Sequence, residues 1–129
     1  MHRSKLEALV IDCHENHFEE SIAFWSQALG MKPTATSSER YVRLEGNLRP
    51  MTILLQKVDR EMGVHLDLET DDLQKERARL QRLGAREKRS VKHWVVMEAP
   101  GGQRFCVVPT EPGTRLTDGR AWPDEGDGP

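Results

Sequence analysis

The chain contains an internal repeat, in which one order of predicted elements occurs twice. The Leu-Gly pairs that end two predicted helices, at 29–30 and 83–84, lie 54 residues apart. Tyr41 and Trp94, which open two predicted strands, lie 53 residues apart. A nearly constant offset with the same element order indicates an internal duplication. The fold must therefore be built from two similar modules.

Apolar periodicity predicts the elements of each module. In the first, the pattern predicts a strand over 6–12, a helix over 17–30, and strands over 40–46 and 51–58, with a turn over 46–50. In the second, it predicts a strand over 64–69, a helix over 71–84, and strands over 93–99 and 104–108, with a turn over 100–103. The polar stretches 34–38 and 85–91 are each expected to hold a short edge strand. The order is then βαβββ, twice.

Both predicted helices carry a stripe of side chains at helical spacing. The stripes are Phe18, Ile22, Trp25 and Leu29 in the first helix, and Leu73, Arg77, Leu80 and Leu83 in the second. Gly30 and Gly84 act as stop signals, and Asp71 or Asp72 caps the second helix.

Composition excludes several classes of function. The formal net charge is −2, which gives no electrostatic basis for binding nucleic acid or an anionic membrane. No apolar run approaches the roughly 20 residues that a membrane helix needs. Cys13 and Cys106 lie in strand-like segments without metal or disulfide spacing, so we expect buried thiols and a cytoplasmic location.

The predicted organisation is one domain over 1–110, with modules at about 6–58 and 64–109, followed by a tail over 111–129. The tail is rich in Pro, Gly and Asp and has no apolar periodicity. We expect it to follow the surface or to be disordered, with Trp122 as an anchor to the domain or to a neighbouring chain.

Three segments resemble the vicinal oxygen chelate superfamily, which includes glyoxalases, bleomycin resistance proteins and ring-cleaving dioxygenases. They are DCHENHFEESIAFWSQALGM, HLDLETDDLQKERARLQRLGA and WVVMEAPGGQRFCVVP, and they look most like its glyoxalase-like branch. The resemblance covers residues 6–109. It implies an α+β fold in which tandem βαβββ modules form paired half-barrel sheets around a cavity.

In metal-using members of this superfamily, the first and last strands of each module supply His, Gln and Glu ligands to a divalent cation. His65 matches one such position. The corresponding positions elsewhere fall on Ala8, on Leu54 or Leu55, and on Cys106, with Gln56 close by. This set lacks the oxygen ligands that Mg²⁺ or Mn²⁺ prefers, so we expect no cofactor. If a divalent metal binds, His65 with Gln56 or Cys106 would hold it.

Other polar residues have less specific interpretations. His14 and His17 flank Glu15 at a helix start, where polar caps are common. Glu45 and Glu98 alternate with apolar neighbours as on a solvated strand face, although either would be a general base if it faced the cavity.

Two functional hypotheses follow. In the first, the protein binds a small aromatic or polar metabolite without a metal, and the ligand contacts His65, Tyr41, Trp94, Gln56 and Cys106. In the second, it is a metal-dependent lyase, isomerase or dioxygenase that uses His65 with Gln56 or Cys106 around a divalent ion, or it uses His65 alone as an acid or base. Both hypotheses expect a homodimer, as is common in the superfamily, with neither nucleic acid nor membrane as a partner.

Overall fold

The structure is a computed structural model that describes residues 1–46, 52–60, 63–100 and 102–124. The first module comprises β1 (His2–His14), a 3-10 turn (Glu15–His17), α1 (Phe18–Leu29), β2 (Lys32–Ala35), β3 (Tyr41–Glu45) and β4 (Thr52–Val58). The second comprises β5 (Val64–Thr70), α2 (Leu73–Arg82), β6 (Arg86–Val91), β7 (Trp94–Glu98) and β8 (Arg104–Pro109), and β9 (Arg120–Trp122) follows. Two successive βαβββ modules confirm the predicted α+β fold class.

The chain divides into two units. The first unit is Ala8–His65, and the second is Met1–Glu7 together with the chain from Leu66 onward. Strands β1 and β5 each begin in one unit and continue into the other. The predicted turn over 46–50 falls largely outside the described residues, as does Gly101 of the second turn.

The sheet of the first unit runs β2–β3–β4–β1. Strand β4 is parallel to β1 and antiparallel to β3, so the β1–β4 connection must cross over, and it contains α1. One face of this sheet packs against α1. The buried residues of that core are Cys13, Phe18, Leu44, Ile53 and Leu55, with Leu9, Ile11, Ile22, Trp25, Met31 and Val42 packed around them.

Helix α1 ends as the sequence predicts. Gly30 adopts a left-handed backbone conformation with φ +65°, which glycine accepts without a Cβ penalty. The buried stripe is shorter than predicted, because Leu29 is 45% exposed whereas Phe18 is buried and Trp25 packs on the core.

The sheet of the second unit runs β5–β8–β7–β6, with β5 parallel to β8. Its core lies against α2 and consists of Leu80, Ala85, Val95, Met97 and Val107, with Leu68, Leu73 and Phe105 packed around them. Asp72 caps α2 by accepting a hydrogen bond from the Lys75 amide at 3.0 Å. Asp71 instead accepts hydrogen bonds from the amides of Arg3 and Leu116.

The described part of the tail follows the surface, which was one of the two alternatives expected from the sequence. Strand β9 pairs antiparallel with the start of β1, which begins four residues before the predicted strand. Trp122 anchors the tail to its own chain, because its Nε1 donates to Ser4 Oγ at 2.9 Å. The Arg79 guanidinium lies 3.9 Å from the centre of the Trp122 ring, a cation–π distance.

The buried face of α2 differs from the predicted stripe. Leu83 is 65% exposed, whereas Glu76 is fully buried. Glu76 accepts two hydrogen bonds of 2.8 Å from Arg79, and its Oε1 lies 2.7 Å from His2 Nε2. Burial raises the pKa of Glu76, but the hydrogen bonds from Arg79 and His2 outweigh it, so the pKa lies below its ordinary value.

The lowered pKa of Glu76 predicts a loss of stability in acid. The pKa of this carboxyl is lower in the folded state than the 4.5 of the unfolded state. Its ionised form therefore stabilises the fold above pH 4.5, and this contribution is lost as the pH falls through the folded-state pKa. We expect Glu76→Gln to lower the free energy of unfolding by about 2 kcal/mol at pH 7, and the deficit to shrink below pH 4.5. Urea unfolding at several pH values measures both quantities.

The exposed Glu39 supplies the matched control, since Glu39→Gln should change the free energy of unfolding little at any pH. A deficit in Glu76→Gln that stays constant from neutral to strongly acidic pH would contradict the assignment.

Candidate functional site

A row of polar side chains crosses the face of the first unit that points away from α1. Strand register places Asp12 of β1 beside Gln56 of β4, and Gln56 beside Tyr41 of β3. These positions alternate with core residues such as Cys13 and Leu55, so they lie on the opposite face. Gln56 Nε2 donates to Tyr41 Oη at 3.2 Å. We call Asp12, Gln56 and Tyr41 the first polar row.

The second unit has a comparable arrangement. Asp67 of β5 lies beside Cys106 of β8, and Cys106 lies beside Val96 of β7. These positions alternate with the core residues Leu68, Val107 and Val95, so they too occupy the face away from the helix. His65 precedes Asp67 by two residues on β5 and therefore points to the same side of that strand. We call His65, Asp67 and Cys106 the second polar row.

His65 is the last residue of the first unit, and it contacts a carboxylate of that same unit. Its Nδ1 lies 3.7 Å from Asp12 Oδ1, and the two side chains are only 16% and 10% exposed. The Asp12 amide donates to the Gly63 carbonyl at 2.8 Å, which fixes the chain just before β5. The carboxylate and the imidazole are thus held together by backbone as well as by side chains.

The second polar row has the donor atoms of a site for a borderline-soft cation. One ligand atom from each of His65, Asp67 and Cys106 lies within 4.8 Å of the other two. Nitrogen, oxygen and sulfur donors suit Zn²⁺, and three protein ligands would leave a position for water or substrate. A hard cation such as Mg²⁺ would need more oxygen ligands than these three residues provide. A bound Zn²⁺ would supply Lewis acidity.

The other predicted site positions lie on different faces of the sheets. Leu55 is fully buried in the core beside α1 and cannot face a ligand on the other side of the sheet. Leu54 lies on the helix-free face next to Val10. Trp94 opens β7 on the helix-free face of the second unit, with its ring edge-on to His93 at 5.5 Å between centroids.

Sequence reasoning missed Asp12 and Asp67 as site residues. Each is a carboxylate on the helix-free face, directly between two apolar neighbours in its strand. Such a residue is expensive to bury without a partner, so its presence is itself a signal of a site. The sequence alone does not show that these two aspartates lie beside Gln56 and Cys106, because that depends on parallel pairing between distant strands.

Other predicted candidates have structural roles. The His14 side chain caps the 3-10 turn by accepting from the Asn16 amide at 3.1 Å. Glu98 forms ion pairs with Arg86 and Lys88, and the hydrogen bond from Arg86 is the main cause that lowers its pKa. A carboxylate held in its ionised form by two cations is a poor general base at neutral pH. Glu45 is exposed.

The two thiols differ in environment, and both are free. Cys13 is buried in the core of the first unit, and this burial raises the pKa of its thiol. Cys106 is partly exposed and belongs to the second polar row. Cys106 is therefore the thiol that is placed to meet a ligand.

The fold and the two polar rows define an α+β protein of tandem βαβββ modules with a polar face opposite each helix. The profile of the glyoxalase-like domain family matches residues 8–108. The chain therefore belongs to the glyoxalase-like domain family, within the vicinal oxygen chelate superfamily.

Solved structures share this fold at low sequence identity. A methylmalonyl-CoA epimerase in complex with methylmalonyl-CoA and NH4⁺ aligns with a TM-score of 0.60 and 15% identity, covering 88% of this chain and 99% of the epimerase. Methylmalonyl-CoA epimerase from Mycobacterium tuberculosis aligns at 0.55 and 17% identity, covering 83% and 88%. A chain described as an NAD-dependent benzaldehyde dehydrogenase from Legionella pneumophila aligns at 0.64 and 8% identity, covering 81% and 98%.

These likenesses establish the fold and not the activity, because their identities are so low. No curated protein sequence matches the chain. Within the described residues, neither helix is long and apolar enough to cross a membrane.

Proposed function

We propose that this protein binds a small aromatic or polar metabolite against the helix-free faces of its sheets. The observation that carries the proposal is the first polar row, in which Asp12, Gln56 and Tyr41 lie side by side on the face opposite α1, the helix among the described residues of their unit. Binding sites for small molecules combine apolar and aromatic surface with a few well-placed polar groups, and this face has that composition.

Each residue of the proposed site has a distinct role. Tyr41 offers a ring for stacking and a hydroxyl that Gln56 already orients. Trp94 offers the larger aromatic surface on the corresponding face of the second unit. His65 is a hydrogen-bonding group, and Cys106 a polarisable contact beside Asp67. The proposal needs neither a metal nor a chemical step.

Removing the Tyr41 ring should weaken binding. We expect at least one of phenol, catechol and benzoate to raise the melting temperature of the wild type. We expect Tyr41→Ala to bind that probe about tenfold more weakly, equivalent to about 1.4 kcal/mol. Titration followed by protein NMR measures the dissociation constant.

Phe24 provides the matched control, since it is an aromatic residue on α1 that is 61% exposed. Phe24→Ala should leave the affinity unchanged. Equal weakening by both variants, or no response of the wild type to any probe, would refute binding at this face.

A second candidate function is a metal-dependent lyase, isomerase or dioxygenase of the same superfamily. The observation that favours it is the set of donors on His65, Asp67 and Cys106. In that case the three residues would hold the cation, and His65 would be the residue whose loss abolishes activity. The epimerase among the solved relatives indicates that an enzyme can be built on this fold.

Elemental analysis separates the two candidates. For the metal-free function, protein purified without chelator should contain no stoichiometric transition metal, and Zn²⁺, Mn²⁺ and Ni²⁺ should not raise its melting temperature. About one Zn²⁺ per chain that disappears in both His65→Ala and Cys106→Ser would refute the metal-free function and support the second candidate. Cys13→Ser is the matched control, because that thiol is buried in the core away from the second polar row.

We further propose a homodimer in a reducing cytoplasm, in keeping with the two free thiols. Sheet edges are unsuited to the dimer contact. The edge strand β2 contains Lys32 and Pro33, and the edge strand β6 is highly charged, with a bulge between Glu87 and Arg89. Such features block strand addition, so the chains would associate through other surfaces.

Light scattering at micromolar concentration should therefore give twice the mass of one chain. Replacing Pro33 by Ala on the edge of β2 should not change this mass, since the edge is not the contact. The mass of a single chain would contradict the dimer.

A further inference from the structure

We propose that Asp12 is a positioning residue for His65. It holds the imidazole as the tautomer protonated on Nδ1 and thereby keeps Nε2 as an unprotonated acceptor. This inference deepens the proposed function, because it specifies how His65 meets a ligand. It rests on contacts within the first unit alone.

The carboxylate of Asp12 is buried with an unsatisfied oxygen. Its side chain is 10% exposed, and Oδ1 accepts no hydrogen bond from the described residues. Asp12 Oδ1 pairs with the imidazole of His65, whose Nδ1 lies 3.7 Å away. An unpaired buried acceptor costs about 1–3 kcal/mol, so a proton on Nδ1 directed at Oδ1 is strongly favoured.

The distance of 3.7 Å is longer than a hydrogen bond and shorter than a water-separated pair. A hydrogen bond between the two side chains requires this distance to shorten by about 0.5 Å. The backbone of Asp12 is fixed, because Asp12 lies within β1 beside Gln56 and its amide donates to Gly63. This fixed backbone places the carboxylate beside His65 Nδ1.

The state of Nε2 follows from the state of Nδ1. A neutral imidazole carries one proton, so a proton on Nδ1 leaves a lone pair on Nε2. His65 then accepts a hydrogen bond from a ligand hydroxyl or N–H group. If a cation binds the second polar row, the same lone pair serves as its ligand, and a carboxylate behind a metal-bound histidine fixes it in this way.

Asp67 is the competing partner for His65. It lies two residues further along β5, and a ligand atom of Asp67 lies within 4.8 Å of one on His65. Pairing through Asp67 would make the tautomer independent of Asp12. Matched substitutions at the two aspartates therefore separate the alternatives.

Long-range ¹⁵N–¹H NMR of the histidine rings tests the inference directly. The spectra are recorded on uniformly ¹⁵N-labelled full-length protein at pH 8 with EDTA, so that no divalent cation occupies Nε2. His65→Gln assigns the His65 signals among the five histidines of the chain. We expect the Nδ1–H tautomer in the wild type and in Asp67→Ala, and a majority of Nε2–H in Asp12→Ala.

A wild-type His65 that is mainly Nε2–H would overturn the inference without any variant. So would a change of tautomer in Asp67→Ala but not in Asp12→Ala. If Asp12→Ala does not fold, the isosteric Asp12→Asn replaces it and should show a smaller shift towards Nε2–H. No ligand is added, so the tautomer is measured whether or not the protein binds a metabolite.

Discussion

The alternation of side chains along each β-strand is the constraint on which this structure depends. A strand in either module must direct one set of residues towards its helix and the next set away from it. Apolar residues on the helix side form the two cores, so the residues that alternate with them are directed to the helix-free face. Asp12 and Asp67 lie on those faces for this reason, and a shift of register by one residue would bury both against a helix.

Parallel pairing then brings distant polar residues together. Strands β1 and β4 pair in parallel, as do β5 and β8, and each pair needs a long crossover that contains the other strands of its module. Asp12 meets Gln56 and Asp67 meets Cys106 only because of these pairings. The site is therefore a consequence of topology and not of a contiguous motif.

This dependence explains how far the sequence could predict the structure. The repeat, the helix stop at Gly30 and the strand alternation predicted the order of elements, because each signal is local. Strand β9 and the buried Glu76 were not predicted, since both depend on contacts with the start of β1, more than 70 residues away in the sequence. The sequence identified His65, Tyr41 and Gln56 as candidate site residues. Their carboxylate neighbours could be identified only from the strand register.

The surroundings of His65 bear on whether the protein needs a metal. The Asp12 carboxylate lies beside Nδ1, where it orients the imidazole so that Nε2 can meet a ligand or a cation. Cys106 and Asp67 extend the donor set, but a thiol beside a carboxylate on neighbouring strands is also an ordinary polar surface. The two functions differ in the role of Cys106, because Zn²⁺ would take its sulfur as a ligand whereas metal-free binding would use it only as a contact. Substitution of Cys106 therefore separates the two proposed functions as well as substitution of His65 does.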